Sequence, residues 1–461
     1  MQGIIQYLKS QGYSTIDQAF YRDITFWMKW YRGKTAFHSY RVYNGTRHVS
    51  KTRKSMGMAK RVAEDWANLL LNEKVEIVIE NGEEGQETAD RRQETIDAVL
   101  AENNFHVKAN QLVEVAFALG TGAMVEYMDE EDHVKIDYIR AGMIYPLRSD
   151  NGEITECAFA SERKEGKDAY VYLSIHEKND RGNYIIKNAY FRKNGGGQLT
   201  QVPLPENIAE EVDTKSPVPL FQIIKPNVVN NIDLDNPMGI SVYANAIDQM
   251  EGLDLVYDSY CNEFQLGKKR IVIPVKMARI EMAEDGSARP VFDPDDTDFY
   301  AISGAEENMG LKEINMEIRS QDHETGLKTA LNVLAKKCGL GDKYYEFEAG
   351  GAKTATEVIS EESDLFRNLK KHELILRAAL TNMVIAIGTL SGLQIKKTEV
   401  TVNFDDSIIE DVGKEKERFL QEIRDGVRQK WEYRSRFFGE DEETARANVQ
   451  QDDMGWTFEE E

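Results

Sequence analysis

Asp248, Glu251, Asp254 and Asp258 are the side chains whose types and spacing come nearest to a reactive constellation. Separations of three, three and four residues stack them along one face of a helix with 3.6 residues per turn. Stacked carboxylates can ligate a metal or divide acid and base roles between them. Four in one stripe, with no histidine among them and no Lys or Arg between Ser241 and Leu266, more commonly form a solvated face. The pattern predicts a helix from about Ser241 to Leu266 with an acidic side and a packing side, the latter carrying Met250, Leu253, Tyr257, Tyr260 and Phe264. Lys268, Lys269 and Arg270 follow, where the helix dipole favours cations.

Other catalytic patterns are missing from the sequence. Lys353-Thr354 could end a phosphate-binding GxxxxGK[ST] loop, but Phe347 and Ala352 stand where its glycines must be. Gly120-Thr121-Gly122 opens a dinucleotide fingerprint that has Val125 in place of its third glycine and follows a helical pattern instead of a strand. Seven dispersed histidines form no cluster, and Cys157, Cys261 and Cys338 lack metal-ligand spacing. No catalytic residue, metal site or cofactor is expected, because a reactive site needs converging groups.

The elements that could position a site are long helices around a β-rich block. From His323 to Lys337, Leu327, Leu331 and Leu334 mark a helix that Gly339 and Gly341 stop. After the aromatic run Tyr344, Tyr345 and Phe347, and then Gly350 and Gly351, Thr354 and Glu357 form a capping-box signature for a second helix to about Leu390. Its uncharged end, from Ala378, must be buried on nearly all sides, and it is too short to span a bilayer. Upstream, residues 1–50 read as helical and aromatic-rich. Arg47, Lys51, Arg53, Lys54, Lys60 and Arg61 follow as a basic patch that could touch DNA or an acidic partner, and that more often would be solvated surface. An amphipathic helix starts near Met58, a strand covers Val75 to Ile79, and a helix pair runs from Gln86 to Leu119. Short alternating segments between Gly122 and Gln222 predict antiparallel sheet. An insertion of strands and turns, with Asp293, Asp295, Asp296 and Asp298, separates the two long helices. Val400 to Phe404 is a further strand, and short helices precede an acidic tail from Asp452.

Composition narrows the class. The chain has 461 residues, 41% of them hydrophobic, enough for two to four globular domains. A net charge of -23 argues against a nucleic-acid clamp, whose affinity comes from basic side chains displacing counterions. With three cysteines, no secretory n-region and no membrane-length apolar run, the expectation is a protein that folds in a cytoplasm without a membrane partner.

Residues 55–73, SMGMAKRVAEDWANLLLNE, resemble the N-terminal signature of tailed-phage portal proteins of the Gram-positive siphophage and myophage type. Pro237-Met238-Gly239-Ile240-Ser241 with the helix after it is similar to the same family, as is the segment from Lys430-Trp431-Glu432-Tyr433-Arg434 to Phe438-Gly439-Glu440-Asp441-Glu442-Glu443. The resemblance implies an α+β fold of portal architecture, with long stem and wing helices, a β-rich wing, a small α/β clip and a helical crown. Residues 1–237 would be wing, 238–269 the first stem helix, 270–319 the clip, 320–338 the second stem helix and 339–353 the tunnel loop. Residues 354–407 would return to the wing with a long helix and strand, 408–451 would form the crown, and 452–461 a tail.

On this resemblance the chain would form a homo-oligomeric ring, usually of twelve subunits, at one capsid vertex. It would pass double-stranded DNA with weak contacts from Lys336, Lys337, Lys343, Tyr344, Tyr345 and Lys353. Lys268, Lys269, Arg270 and the insertion's aspartates would meet the terminase large subunit and later the head-completion adaptor, while major capsid and scaffolding proteins surround the ring. The competing readings are another minor head protein and a metal-dependent hydrolase on the Asp248–Asp258 stripe.

Overall fold

The computed structural model describes residues 2–43, 47–72, 75–80, 86–166, 168–194, 198–267, 270–274, 279–282, 288–291, 299–302, 312–314, 317–345, 363–404, 419–424, 428–438, 444–446 and 448–449. Two N-terminal helices, α1 (Gln2–Ser10) and α2 (Gln18–Tyr31), are followed by a ribbon of β1 (Ser39–Tyr43) and β2 (His48–Thr52). Residues 39–52 therefore depart from the helical reading of the first fifty. The β-branched and aromatic residues Tyr40, Val42, Val49 and Thr52 suit a pleated ladder better than a helix interior.

Next come α3 (Met58–Leu70), β3 (Glu76–Ile79), α4 (Gln86–Glu102) and α5 (Phe105–Leu119). The β-rich block then comprises β4 (Gly122–Met128), β5 (Val134–Arg140), β6 (Ile144–Asp150), β7 (Glu153–Glu165), β8 (Asp168–Lys178), β9 (Tyr184–Lys193), β10 (Leu199–Val202), β11 (Glu211–Asp213) and β12 (Phe221–Ile224). Strands β6 to β10 form an antiparallel meander with β11 added beside β9, and β4 lies between β12 and β5 in a second sheet. The first five residues of β4 are all buried, because helices pack against this sheet.

The helix expected from Ser241 starts later, as α6 (Ile247–Leu266). Residues before it are held by the body instead. The Val242 amide donates to the Phe117 carbonyl at 2.9 Å, the Ser241 hydroxyl accepts from the Tyr243 amide at 3.3 Å, and Gly239 lies backbone to backbone with Gly120.

After α6 come β13 (Arg270–Pro274), β14 (Arg279–Met282), β15 (Ala288–Val291), β16 (Phe299–Ile302) and β17 (Lys312–Ile314). β13 pairs in parallel with β16 and antiparallel with β17, and β14 pairs with β15. The chain returns in α7 (Ser320–Lys337), which packs on α6. Helix α8 (Ser363–Leu390), strand β18 (Val400–Asn403) and helix α9 (Lys430–Phe438) complete the described elements, with β18 pairing with β3 across more than 300 residues of sequence. The capping-box residues Thr354 and Glu357 lie outside the described residues. By length and composition α8 could cross a membrane, yet Leu369, Leu380, Met383, Val384 and Ile387 are fully buried in the protein core, where the helix packs on β12, β4 and β18. Helix and strand thus mix as α+β.

Candidate functional site

The α6 carboxylates divide by environment. Asp248 is exposed and Glu251 half-buried, whereas Asp254 and Asp258 are only 3% and 8% exposed. The reading of a uniformly solvated face thus fails for two of four. The spacing puts them on one side of the helix, but His38 and the Lys54–Met56 segment lie over that side. Asp254 accepts from the Ser55 hydroxyl at 2.9 Å, from the Met56 amide at 2.9 Å and from His38 Nε2 at 2.8 Å. On the other side of the ring, His38 Nδ1 lies 3.0 Å from the Thr35 hydroxyl. Asp258 accepts from the Lys54 amide at 2.9 Å and from the Asn262 side chain at 3.1 Å. These carboxylates serve as a clamp for backbone that no ladder satisfies. Among the described residues no group of three or more His, Cys, Asp or Glu could hold a metal ion.

Helix α3 is the hub on which the end of α7 rests. Trp66 is fully buried and donates through Nε1 to the Cys338 carbonyl at 3.1 Å. Gly339 and Gly341 adopt φ of 82° and 87°, the left-handed stop their spacing foretold. The Asn368 amide donates to the Gly339 carbonyl at 2.9 Å, tying this stop to α8. His372, one turn along, packs edge-on against Trp66 and Phe117 and accepts from the Asn227 amide at 2.9 Å. Burial, helped by Lys371, pushes its pKa down to about 3, so the ring is neutral at any physiological pH.

The Tyr345 hydroxyl donates to Asp65 at 2.8 Å, and Arg61 pairs with the same carboxyl at 2.9 Å. Burial raises the Asp65 carboxyl, with Tyr345 and Arg61 offsetting part of the shift; burial and Asp65 together push the Tyr345 hydroxyl far above its ordinary range. Tyr344 meets Tyr345 edge-on, with ring centroids 5.0 Å apart. Lys336 and Lys337 are exposed in the last turn of α7, Lys336 pairing with Asp342 at 3.2 Å. Lys343 is exposed and holds φ of 67°. The structure thus brings Lys336, Lys337, Lys343, Tyr344 and Tyr345 to one corner of the fold, where Tyr345 acts as its anchor. Lys353, Lys268, Lys269, Asp293, Asp295, Asp296 and Asp298 lie outside the described residues, and Arg270 is the first residue of β13.

Several determinants carried no motif. At the far end of the α6–α7 pair, Glu263 takes a two-pronged bond from Arg319, at 3.1 and 2.9 Å, which holds its carboxyl at about 2. Glu126 is wholly buried in β4, neither oxygen has a hydrogen-bond partner, and burial lifts its pKa to about 8. Gly120 belongs to the incomplete dinucleotide fingerprint and Gly239 to the Pro237–Ser241 motif. A Cβ on Gly120 would lie 2.3 Å from the Gly239 carbonyl oxygen, so the pair is a close backbone crossing.

The family model for phage portal proteins of the SPP1 Gp6-like type matches residues 11–453. The chain belongs to that portal family. A comparison with curated proteins found no match. The family is structural and in general non-enzymatic, and its members sit at a vertex of the phage capsid. The match includes the whole 55–73 signature, whose Ser55, Met56, Arg61, Asp65 and Trp66 all make the contacts described above.

Proposed function

We propose that this portal chain forms a ring, taken as twelve subunits, that serves as the channel through which genomic DNA is driven into the capsid and later released. The observation that carries this reading is the family match over residues 11–453. In the proposed arrangement α6 and α7 are the stem pair, β13 to β17 belong to the clip, and the segment beyond Gly339 leads into the tunnel loop. The clip would dock the terminase large subunit during packaging and the head-completion adaptor afterwards, with Lys268, Lys269, Arg270, Asp293, Asp295, Asp296 and Asp298 as its contact candidates. Major capsid and scaffolding proteins would surround the wing, and assembly would take place in the bacterial cytoplasm.

Charge supports a conduit over a clamp. Each phosphate neutralised by a Lys or Arg adds salt-dependent affinity, and a ring repeats that contact in every subunit. A chain at -23 avoids that trap. Lys336, Lys337, Lys343 and Lys353 supply a few weak contacts, and Tyr345 is better suited to hold their support than to touch DNA, since its hydroxyl is engaged by Asp65. Negative-stain images of purified protein test the ring. Replacing Lys343 and Lys353 by Glu should impair packaging and leave rings intact; unchanged packaging would remove these lysines from the channel.

A further inference from the structure

From Lys34 to Arg61 the sequence carries eight Lys and Arg and no Asp or Glu, in a chain whose net charge is -23. Everything outside that segment therefore stands at -31. The structure gathers much of this positive charge on the β1–β2 ribbon and its root. Among the described residues the ribbon is a two-stranded sheet that joins no other, with Arg41 and Lys51 exposed on it. Its direction is set by the body. The Arg53 amide closes its base on the His38 carbonyl at 2.7 Å, the Arg53 guanidinium stacks on Phe37 and Tyr40, and Asp254 and Asp258 hold both chains where they reach α6.

The opposite charge is also collected. The β4–β5 turn exposes Glu130, Glu131 and Asp132, and the segment through β11 exposes Glu206, Glu210 and Asp213. Asn207 donates to Glu130, which joins turn and segment into one surface, and Asn188 on β9 braces the segment through the Ala209 carbonyl at 2.7 Å. Lys187, opposite Glu211 in the β9–β11 register, pairs with Glu177 at 2.6 Å. Among the described residues no ion pair joins this surface to the ribbon within one chain.

We propose that the basic ribbon of one copy docks on the Glu130–Asp213 acidic surface of a neighbouring copy. Two complementary surfaces that do not meet in one chain make a head-to-tail contact, the kind that closes into a ring when the rotation between neighbours allows it. The contact also answers a cost of assembly, because copies at -23 repel each other unless opposite charges face across the joint. Duplex DNA is the poorer occupant, since docking it on the ribbon would bring a polyanion to a body at -31. The inference rests on the ring reading for the number of copies, while the contact itself rests on these two surfaces.

Sedimentation of the full chain over a range of concentration and salt tests it, using Arg41→Glu/Lys51→Glu on the ribbon, Glu130→Lys/Glu210→Lys on the acidic surface, and the fourfold combination. All four positions are exposed, and matching thermal midpoints confirm that each variant folds. Each double variant should weaken association about tenfold to a hundredfold, and the combination should regain most of it. Association of the native chain should also weaken with salt. Doubles that associate like the native chain overturn the contact and leave the ring standing, and so does a combination that fails to recover. A native chain that is monomeric at every concentration overturns both. Loss of duplex binding by the ribbon variant with association unchanged would assign the ribbon to nucleic acid instead.

Discussion

Replacing Glu126 by Gln isolates the one wholly buried carboxyl without a hydrogen-bond partner among the described residues. Its folded pKa of about 8 lies above the ordinary 4.5, because burial disfavours the charged form. A raised acid pKa contributes stability that is fully present below pH 4.5 and is lost as pH rises toward 8. Each unit of separation is about 1.4 kcal/mol, so the native chain should lose roughly 3 kcal/mol between pH 4.5 and 7, and roughly 5 kcal/mol by pH 9. The substituted glutamine does not titrate, and whatever its buried amide costs is the same at every pH. Urea unfolding at intervals from about pH 5 to 9 reads the difference. The gap between variant and native chain should widen steadily in the variant's favour and flatten above pH 8. Parallel stability curves across that range would refute the assignment of a neutral, desolvated carboxyl in β4.

Three further outcomes follow from the contacts around α6 and α3. Asp254→Ala removes the acceptor of His38, Ser55 and Met56, so the Met56 amide should exchange with solvent faster, and stability should fall by about 3 kcal/mol. Unaltered protection at Met56 would deny the clamp, while loss of a divalent-metal-dependent hydrolase activity would return the stripe to chemistry. Gly120→Ala places a Cβ against the Gly239 carbonyl at a φ of 90°, and should lower the yield of folded protein, with stability down by at least about 2 kcal/mol. Tyr345→Phe deletes one hydrogen bond to a buried carboxylate; thermal unfolding should show a loss of about 1–2 kcal/mol, and no change would mean that Arg61 alone satisfies Asp65.

Periodicity carried the elements that own their periods. α3, α7 and the helix pair α4–α5 stand where apolar spacing put them, and the glycines after Lys337 adopt the left-handed turn their type demands. The ribbon at 39–52 was lost because the aromatic richness before it reads as helix, although the Asn44-Gly45 dipeptide, itself outside the described residues, is a turn signal. α6 starts six residues later than the spacing predicts because the stretch after Pro237 and Gly239 is held in a non-helical bend, where the Ser241 hydroxyl accepts from the Tyr243 amide. Which carboxylate of a stripe is buried depends on what lies over it. Asp254 and Asp258 are covered by a segment some 200 residues earlier, and no local pattern encodes that distance.

The same contacts explain why residues 55–73 make a distinctive stretch of sequence. One end of it, Ser55 and Met56, is bonded to α6; its middle, Asp65 and Trp66, is bonded to the segment that ends α7. The 55–73 stretch thus ties both members of the α6–α7 pair to the body, while Glu263 and Arg319 lock the pair to each other at its far end. Breaking the Glu263–Arg319 bond by Arg319→Ala should therefore loosen the far end alone. Amide exchange should rise near Glu263 and Arg319 and stay unchanged at Met56 and Cys338, whereas a rise at all four would show that the two ends are not independently braced.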